Sequence, residues 1–179
     1  MESKAEKKRQ HILRSATEFI LENDYHALTL DAVAKQAGIS KGGLLYHFSN
    51  KEALLKGVAH HIFEQFTLTF EEQAKKDPIE KGKWCRALIE ASKWDLEHNA
   101  ELNVGILAAS MLNPDIAEDI SESYQYMQTK VEQDHIDPVT ATIIRLAIDG
   151  LYYSELFHLA PLAEKLREQV IEQLKTMTK

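Results

Sequence analysis

The sequence has little cysteine, proline and glycine, with one Cys, four Pro and seven Gly in 179 residues. The single cysteine, Cys85, excludes an intramolecular disulfide framework and a zinc site with several cysteines from one chain. So few glycines and prolines disfavour an all-β fold, because such folds need frequent turns. The longest uncharged apolar run, Val104–Leu112, is far shorter than the ~18 residues of a membrane-spanning helix. The charged N-terminal stretch is unlike an export signal, so we expect a cytoplasmic protein with no membrane partner.

The composition is that of a globular chain, with 44% hydrophobic and 27% charged residues. This balance argues against disordered or collagen-like chains, and the length fits one ordinary domain or two small ones. The net charge of −7 is distributed unevenly, because residues 1–60 carry +2 and the remainder −9. This asymmetry predicts two parts with different functions.

The spacing of apolar residues predicts an all-α fold of about nine helices, with no strand pattern. Ser49 and Glu52 have the spacing of a capping box, which predicts a long helix from near Lys51 to Lys75. All four prolines are interpreted as first-turn residues of helices. The other helices are expected over 7–22, 30–37, 41–47, 78–97, 100–112, 115–133, 138–159 and 161–177.

Two short helices separated by Gly38-Ile39-Ser40 have the spacing of a helix-turn-helix unit. Gly38 lies where a left-handed residue commonly ends a helix. In the second helix, Leu44 and Phe48 share one face, which is expected to pack against the first helix. The opposite face then carries Gly42 and Tyr46 and is expected to be exposed.

Gly42 and Gly43 are costly near a helix start, because each loses about 1 kcal/mol of helix propensity relative to Ala. Close approach of the helix tip to a DNA duplex would compensate for that loss, since helix N-termini also attract phosphate. The alternative is that the two glycines serve only helix packing and that this face is simply exposed to solvent. The hydroxyl, imidazole and ammonium groups around the helix are suitable phosphate donors, and Lys41 can reach guanine acceptors.

Residues 29–54, TLDAVAKQAGISKGGLLYHFSNKEAL, closely resemble the DNA-binding signature of the tetracycline-repressor (TetR) family of bacterial regulators. The resemblance covers residues 1–55 in register, and the remainder is similar only in length and helical character. It implies a three-helix DNA-binding domain over residues 1–50 and a helical effector-binding and dimerisation domain over 51–179. It also implies a homodimer on a near-palindromic double-stranded operator, with no enzymatic activity and no cofactor.

Carried over residue by residue, the resemblance implies a set of DNA contacts around the second short helix. Phosphate contacts are expected from Thr29, Tyr46, His47 and Lys51, and base contacts around Lys41, Gly42 and Gly43, with Ser40 at the helix cap. Leu45 departs from members that have a second tyrosine there. Its side chain would contact a thymine methyl instead of donating from a hydroxyl.

The segment Val139–Leu159 is apolar on two faces, which predicts burial against its own subunit on one side and against a partner on the other. With the last helix it would form a four-helix bundle about a two-fold axis. The alternative is that other helices of the same chain cover both apolar faces of this segment. The expected dimer contacts are Ile144, Ile148, Leu151, Leu166, Val170 and Leu174.

The middle helices combine aromatic and sulfur-containing side chains with small residues, as an apolar effector site would require. The resemblance places a ligand pocket in this part of the chain, and we expect a small hydrophobic effector that releases a repressor from DNA. Ordinary core packing is the alternative for each residue. The expected lining residues are Phe66, Trp84, Leu88, Leu107, Met111, Tyr124, Met127 and Tyr152.

A different function class is suggested by two Glu-x-x-His pairs, Glu132 with His135 and Glu155 with His158. This spacing occurs in di-metal carboxylate bundles that act as oxidases or metal stores. Both pairs lie at predicted helix ends, whereas bundle ligands lie in mid-helix positions. The regulator is therefore the preferred interpretation, and we expect no metal site.

Overall fold

The computed structural model describes residues 3–23, 27–111 and 113–179, and it confirms the all-α class predicted from the sequence. The described ranges contain no β-strand. No helix within them is both long enough and apolar enough to cross a membrane. The helices are α1 (Lys4–Asn23), α2 (Leu30–Gln36), α3 (Lys41–Leu45), α4 (Lys51–Lys76), α5 (Lys83–Ser110), α6 (Pro114–Glu132), α7 (Pro138–Leu156) and α8 (Glu164–Thr176).

The chain divides into two compact units. The first unit comprises Met1–Phe63 and Glu101–Asp119, and the second comprises Glu64–Ala100 and Ile120–Lys179. This division differs from the expected boundary at residue 50. Helices α4, α5 and α6 each have residues in both units.

The start of α4 belongs with the first unit because it packs on the preceding helices. Leu54 and Val58 are fully buried. At Gly57, an added Cβ would lie 2.7 Å from Phe48 Cε1 and 3.0 Å from Leu13 Cδ2, so this position accepts no side chain without rearrangement. The helix that emerges at Lys51 is therefore packed closely on the helices that precede it.

Helix α5 replaces the two helices expected over 78–97 and 100–112. It is continuous because no glycine or proline interrupts residues 97–100. Its N-terminus is capped by a residue that is distant in the sequence. The carboxylate of Asp134 accepts hydrogen bonds from the backbone N–H groups of Trp84 (2.9 Å) and Cys85 (2.8 Å). Burial raises the pKa of both Asp134 and the Cys85 thiol, and Cys85 packs as a small core residue.

Pro114 and Pro138 begin α6 and α7, as predicted for first-turn prolines. Helix α8 begins at Glu164, three residues after Pro161, so that proline precedes the helix instead of starting it. The second unit has an apolar core to which α4 to α8 all contribute. Its buried members include Phe70, Leu88, Met127, Val131, Ile144, Ile148 and Leu174.

Candidate nucleic-acid interface and effector core

Local hydrogen bonds set the geometry of the α2–turn–α3 segment. Thr29 caps α2, because its Oγ1 accepts from the backbone N–H of Ala32 at 3.1 Å. Gly38 then adopts φ +63°, the left-handed conformation predicted from the sequence. Ser40 caps α3, since its Oγ accepts from the backbone N–H of Gly43 at 3.1 Å. Thr29 thus sets the start of α2, while Gly38 and Ser40 set the turn and the start of α3.

The inner side of α3 is anchored in the first unit. Leu44 and Phe48 are buried, as predicted for this face. The guanidinium of Arg9 lies over the Phe48 ring, 5.3 Å from its centroid. His11 Nε2 donates to the carbonyl oxygen of Ala37 at 2.9 Å and so ties α1 to the end of α2. Helix α3 is therefore held firmly despite its five-residue length.

The outer side of α3 is open to solvent. Tyr46 is 82% exposed, and Lys41, Gly42 and Leu45 are also exposed. A Cβ added to Gly42 would find no atom within 4 Å. His47 is half-buried, with its ring edge-on to that of Tyr46 at 5.1 Å. The structure thus brings the predicted outer residues onto one accessible face.

Gly43 differs from Gly42 because its surroundings are occupied. An added Cβ would lie 3.2 Å from Ser40 Oγ and 3.7 Å from Lys8 Nζ. The ammonium of Lys8 on α1 therefore lies beside the tip of α3, a proximity that sequence reasoning missed. The only sequence signal was its membership of a basic cluster near the N-terminus.

An ion pair joins the two short helices on this face. Lys41 Nζ lies 2.8 Å from Asp31 Oδ2, and the side chains are 55% and 68% exposed, respectively. Asp31 is in the first turn of α2, where a carboxylate also interacts favourably with the helix dipole. Sequence reasoning missed Asp31 because it lies ten residues from Lys41 and the spacing alone does not indicate contact.

Helix α4 begins at Lys51 as predicted, but a different residue caps it. Asn50 Oδ1 accepts from the backbone N–H of Ala53 at 2.7 Å, so the expected capping box of Ser49 and Glu52 is wrong by one residue. Lys51 is the first residue of α4 and is half-buried. Thr29 is exposed at the start of α2. Both are thus placed at helix N-termini within the first unit.

In the second unit, a chain of polar side chains accompanies the apolar core. The hydroxyls of Tyr124 and Tyr153 are hydrogen-bonded to each other at 2.5 Å. The Tyr153 ring meets that of Tyr152 edge-on at 5.5 Å. Tyr152 donates to Asp95 Oδ2 at 2.5 Å, and Asn99 donates to Asp95 Oδ1 at 2.8 Å. Burial raises the pKa of all three tyrosines.

Six of the predicted effector residues lie in the second unit and two do not. Leu88 and Met127 belong to the core cluster, with Phe66, Trp84 and Tyr124 packed against it. The sixth, Tyr152, belongs to the polar chain, whose members Asp95, Asn99 and Tyr153 were missed because single polar residues in an apolar helix pattern carry no contact information.

The other two predicted effector residues, Leu107 and Met111, belong to the first unit. Met111 is 85% exposed, so its prediction as a lining residue of an interior site is wrong. It lies just beyond the end of α5, next to position 112, which is outside the described residues.

The dimer prediction needs correction at three residues. Ile144, Ile148 and Leu174 are buried in the core of their own chain and have almost no surface to offer a partner. Leu151 and Val170 are half-buried against that core, and only Leu166 is exposed.

Helix α7 has one apolar stripe that is buried, with Ile144 and Ile148, and a second apolar stripe that is exposed. It contains Val139, Ile143 and Leu146, which are exposed by half or more of their surface, and it continues through the exposed Gly150. These residues are spaced i, i+4, i+7 and i+11, which places them on one helical face. Arg145, at the margin of the stripe, pairs with Asp149 at 2.7 Å, so that aspartate does not lack a charge partner.

The geometry does not favour the metal alternative. His135 and His158 follow the ends of α6 and α7 and have positive φ angles of 59° and 53°, so neither shares a helical face with its glutamate. In the part of the chain that the structure describes, no three His, Cys, Asp or Glu side chains are grouped to hold a metal ion.

Comparison with known proteins gives matches along both units. Residues 12–58 match a family described as "Bacterial regulatory proteins, tetR family", and residues 82–179 match "Tetracyclin repressor-like, C-terminal domain". The HTH-type transcriptional regulator UidR of Escherichia coli (strain K12) is 31% identical over 166 residues, which cover 85% of this chain and 82% of that protein.

Solved structures show the same fold. A putative TetR-family transcriptional regulator from Mesorhizobium loti has a TM-score of 0.79 at 16% identity, covering 98% of this chain and 97% of that chain. The multidrug binding protein EbrR complexed with ethidium has a TM-score of 0.68 at 21% identity, covering 93% of this chain and 98% of that chain.

Proposed function

Because this chain belongs to the tetracycline-repressor family of helix-turn-helix DNA-binding transcriptional regulators, which are not enzymes, we propose that it is a repressor. As a homodimer it binds a near-palindromic operator, and a small hydrophobic effector releases it. Residues 29–51 form the DNA-contacting surface, and the core of the second unit binds the effector.

The observation that carries this proposal is the division of α3 into two sides. Leu44 in α3 and Phe48 just after it are buried, while Gly42 and the C-cap residue Tyr46 form an open face next to Lys41. A helix with a bare N-terminal end can approach base edges closely in the major groove. The hydroxyls and ammonium groups of Thr29, Tyr46 and Lys51, with the imidazole of His47, are the proposed phosphate donors.

Dimerisation would supply the second half-site contact. Two copies joined through the exposed stripe of Val139, Ile143, Leu146 and Gly150, together with Leu166, would bury an apolar face that one chain leaves in solvent. The recognition helices of a dimer read half-sites about 34–36 Å apart, one turn of the duplex.

Removing the ammonium of Lys51 should weaken DNA binding without changing which sequence is preferred. We expect Lys51→Ala to lower affinity by a similar factor for the best duplex selected from a random pool and for its single-base variants. The slope of log affinity against log salt should become shallower by about 1, because one fewer phosphate is neutralised. Fluorescence anisotropy at several salt concentrations measures both quantities.

Lys165→Ala provides the control, because Lys165 is an exposed lysine of α8 in the second unit. It should leave affinity and salt slope unchanged. In contrast, Lys41→Ala should alter base preference. Equal effects of Lys51→Ala and Lys165→Ala would show that the start of α4 does not contact phosphate.

The core of the second unit supports the effector proposal. It combines apolar side chains such as Leu88 and Met127 with the hydroxyls of Tyr124, Tyr152 and Tyr153, the mixture that small-molecule sites use for binding and orientation. The structure of EbrR with ethidium also shows this fold in a protein that binds an aromatic small molecule. An effector that binds one conformation more tightly would shift the population away from the DNA-binding form.

Tyr124 and Tyr126 offer a matched test of this site. Both lie on α6 and each hydroxyl makes one hydrogen bond, Tyr124 with Tyr153 and Tyr126 with Glu71 at 2.6 Å. For any compound that releases the protein from its duplex, Tyr124→Phe should raise the half-maximal concentration about tenfold, the value of one hydrogen bond. Tyr126→Phe should leave it unchanged. Equal shifts for the two variants would remove Tyr124 from the effector site.

A further inference from the structure

We propose that Asp31 is a specificity-determining residue, which acts by positioning Lys41 for base contacts and keeping its ammonium away from phosphates. The proposal rests on the DNA-contacting role of Lys41 proposed above. It assigns a role to the carboxylate that lies on the surface expected to meet DNA.

The first observation is the charge pattern of this surface. Between residues 27 and 51, Asp31 is the sole carboxylate, against the lysines Lys35, Lys41 and Lys51. A negative charge beside a phosphate path lowers affinity for every DNA sequence alike. A single carboxylate in such a segment therefore lowers the affinity that the operator shares with all other sequences, and any effect on specificity has to come from its contact with Lys41.

The second observation is the contact itself. Asp31 Oδ2 lies 2.8 Å from Lys41 Nζ, although both side chains are more than half exposed. A lysine ammonium is a point charge on a flexible stem, so an unrestrained Lys41 would sample phosphates on either side of the groove. The ion pair holds the ammonium beside α2 and cancels most of its charge at a distance, while leaving N–H groups that can donate to base acceptors.

The two effects have the same consequence for recognition. A neutralised lysine contributes little to the salt-dependent attraction that all sequences share. Its remaining donors still distinguish guanine O6 and N7 from other base edges. Asp31 therefore lowers the affinity for non-specific DNA more than the affinity for the operator, and so raises the ratio of operator affinity to non-specific affinity.

The test measures three quantities for each variant of the full-length protein: affinity for the selected operator, affinity for a scrambled duplex of equal length, and the salt slope. We expect Asp31→Asn to strengthen binding to the scrambled duplex, to steepen the salt slope by about 1, and to lower the specificity ratio roughly tenfold. Asp31→Glu, which keeps the charge, should restore the ratio and slope. Thermal unfolding reports any loss of the α2 dipole interaction separately.

Two controls separate this effect from net charge and from the proposed function. Glu18→Gln removes an exposed carboxylate from α1 of the same unit and should leave the ratio unchanged. In a Lys41→Ala background, Asp31→Asn should no longer change the ratio. If Asp31→Asn behaves as Glu18→Gln does, or acts equally without Lys41, the role of Asp31 is overturned while the DNA-binding proposal stands. If Lys41→Ala weakens all duplexes equally, base contact by Lys41 fails and the role of Asp31 fails with it.

Discussion

Gly42→Gln is expected to abolish specific operator binding while leaving the protein folded. Affinity for the operator should fall about 1,000-fold, to the level of non-specific binding. The reason is steric, because Gly42 lies at the open tip of α3 and a side chain there would separate the helix from the base edges. Anisotropy titration with the operator and a scrambled duplex measures the loss.

Stability should change in the opposite direction. No atom lies within 4 Å of an added Cβ at Gly42, so the fold accepts the side chain. Replacing a helical glycine should then stabilise the protein by up to about 1 kcal/mol. The same substitution at Ala117, an exposed residue of α6 in the first unit, is the control and should preserve operator affinity. Full affinity of a folded Gly42→Gln protein would show that the tip of α3 does not enter the groove.

Leu146→Glu is expected to convert the proposed dimer to a monomer. Leu146 is 55% exposed in the centre of the α7 stripe, between Ile143 and Gly150, where a partner would bury it. A buried, unpaired carboxylate at that position would cost several kcal/mol of association free energy. Sedimentation should then report 20.4 kDa, the mass of one chain, in place of twice that value. Operator affinity should fall about 100-fold or more, because the second half-site is no longer linked to the first.

An exposed leucine outside the stripe provides the matched control. Leu68 on α4 is 47% exposed, similar to Leu146, and Leu68→Glu should leave both the mass and the operator affinity unchanged. Leu68→Glu should unfold at nearly the wild-type temperature, and the Leu146→Glu monomer should still unfold cooperatively, because neither side chain is part of the core. A Leu146→Glu protein that remains a dimer would exclude the α7 stripe as the interface.

The local features of the DNA-binding segment could be predicted from the sequence because they depend on neighbours in the chain. The left-handed Gly38, the cap by Ser40 and the burial of Leu44 follow from spacing and residue type, and the structure has them. The predicted cap of α4 was wrong by one residue, because Ser49 and Asn50 are both good capping residues and the sequence pattern does not distinguish between them.

Features that need a distant partner could not be predicted. The pair of Lys41 with Asp31, the proximity of Lys8 to Gly43 and the bond from Tyr152 to Asp95 join residues 10, 35 and 57 positions apart. Periodicity says which residues share a helical face, but it does not say which side chain of another helix they meet.

Helix α7 shows most clearly what the amino-acid order determined and what packing decided. The order of apolar residues determined that the helix has two apolar stripes, because a period of 3.6 residues places each set on its own face. Only the tertiary structure decided that Ile144 and Ile148 face the chain's own core while Val139 and Leu146 face solvent. The two stripes are chemically alike, so their burial depends on where the neighbouring helices lie, and that is a property of the whole folded unit.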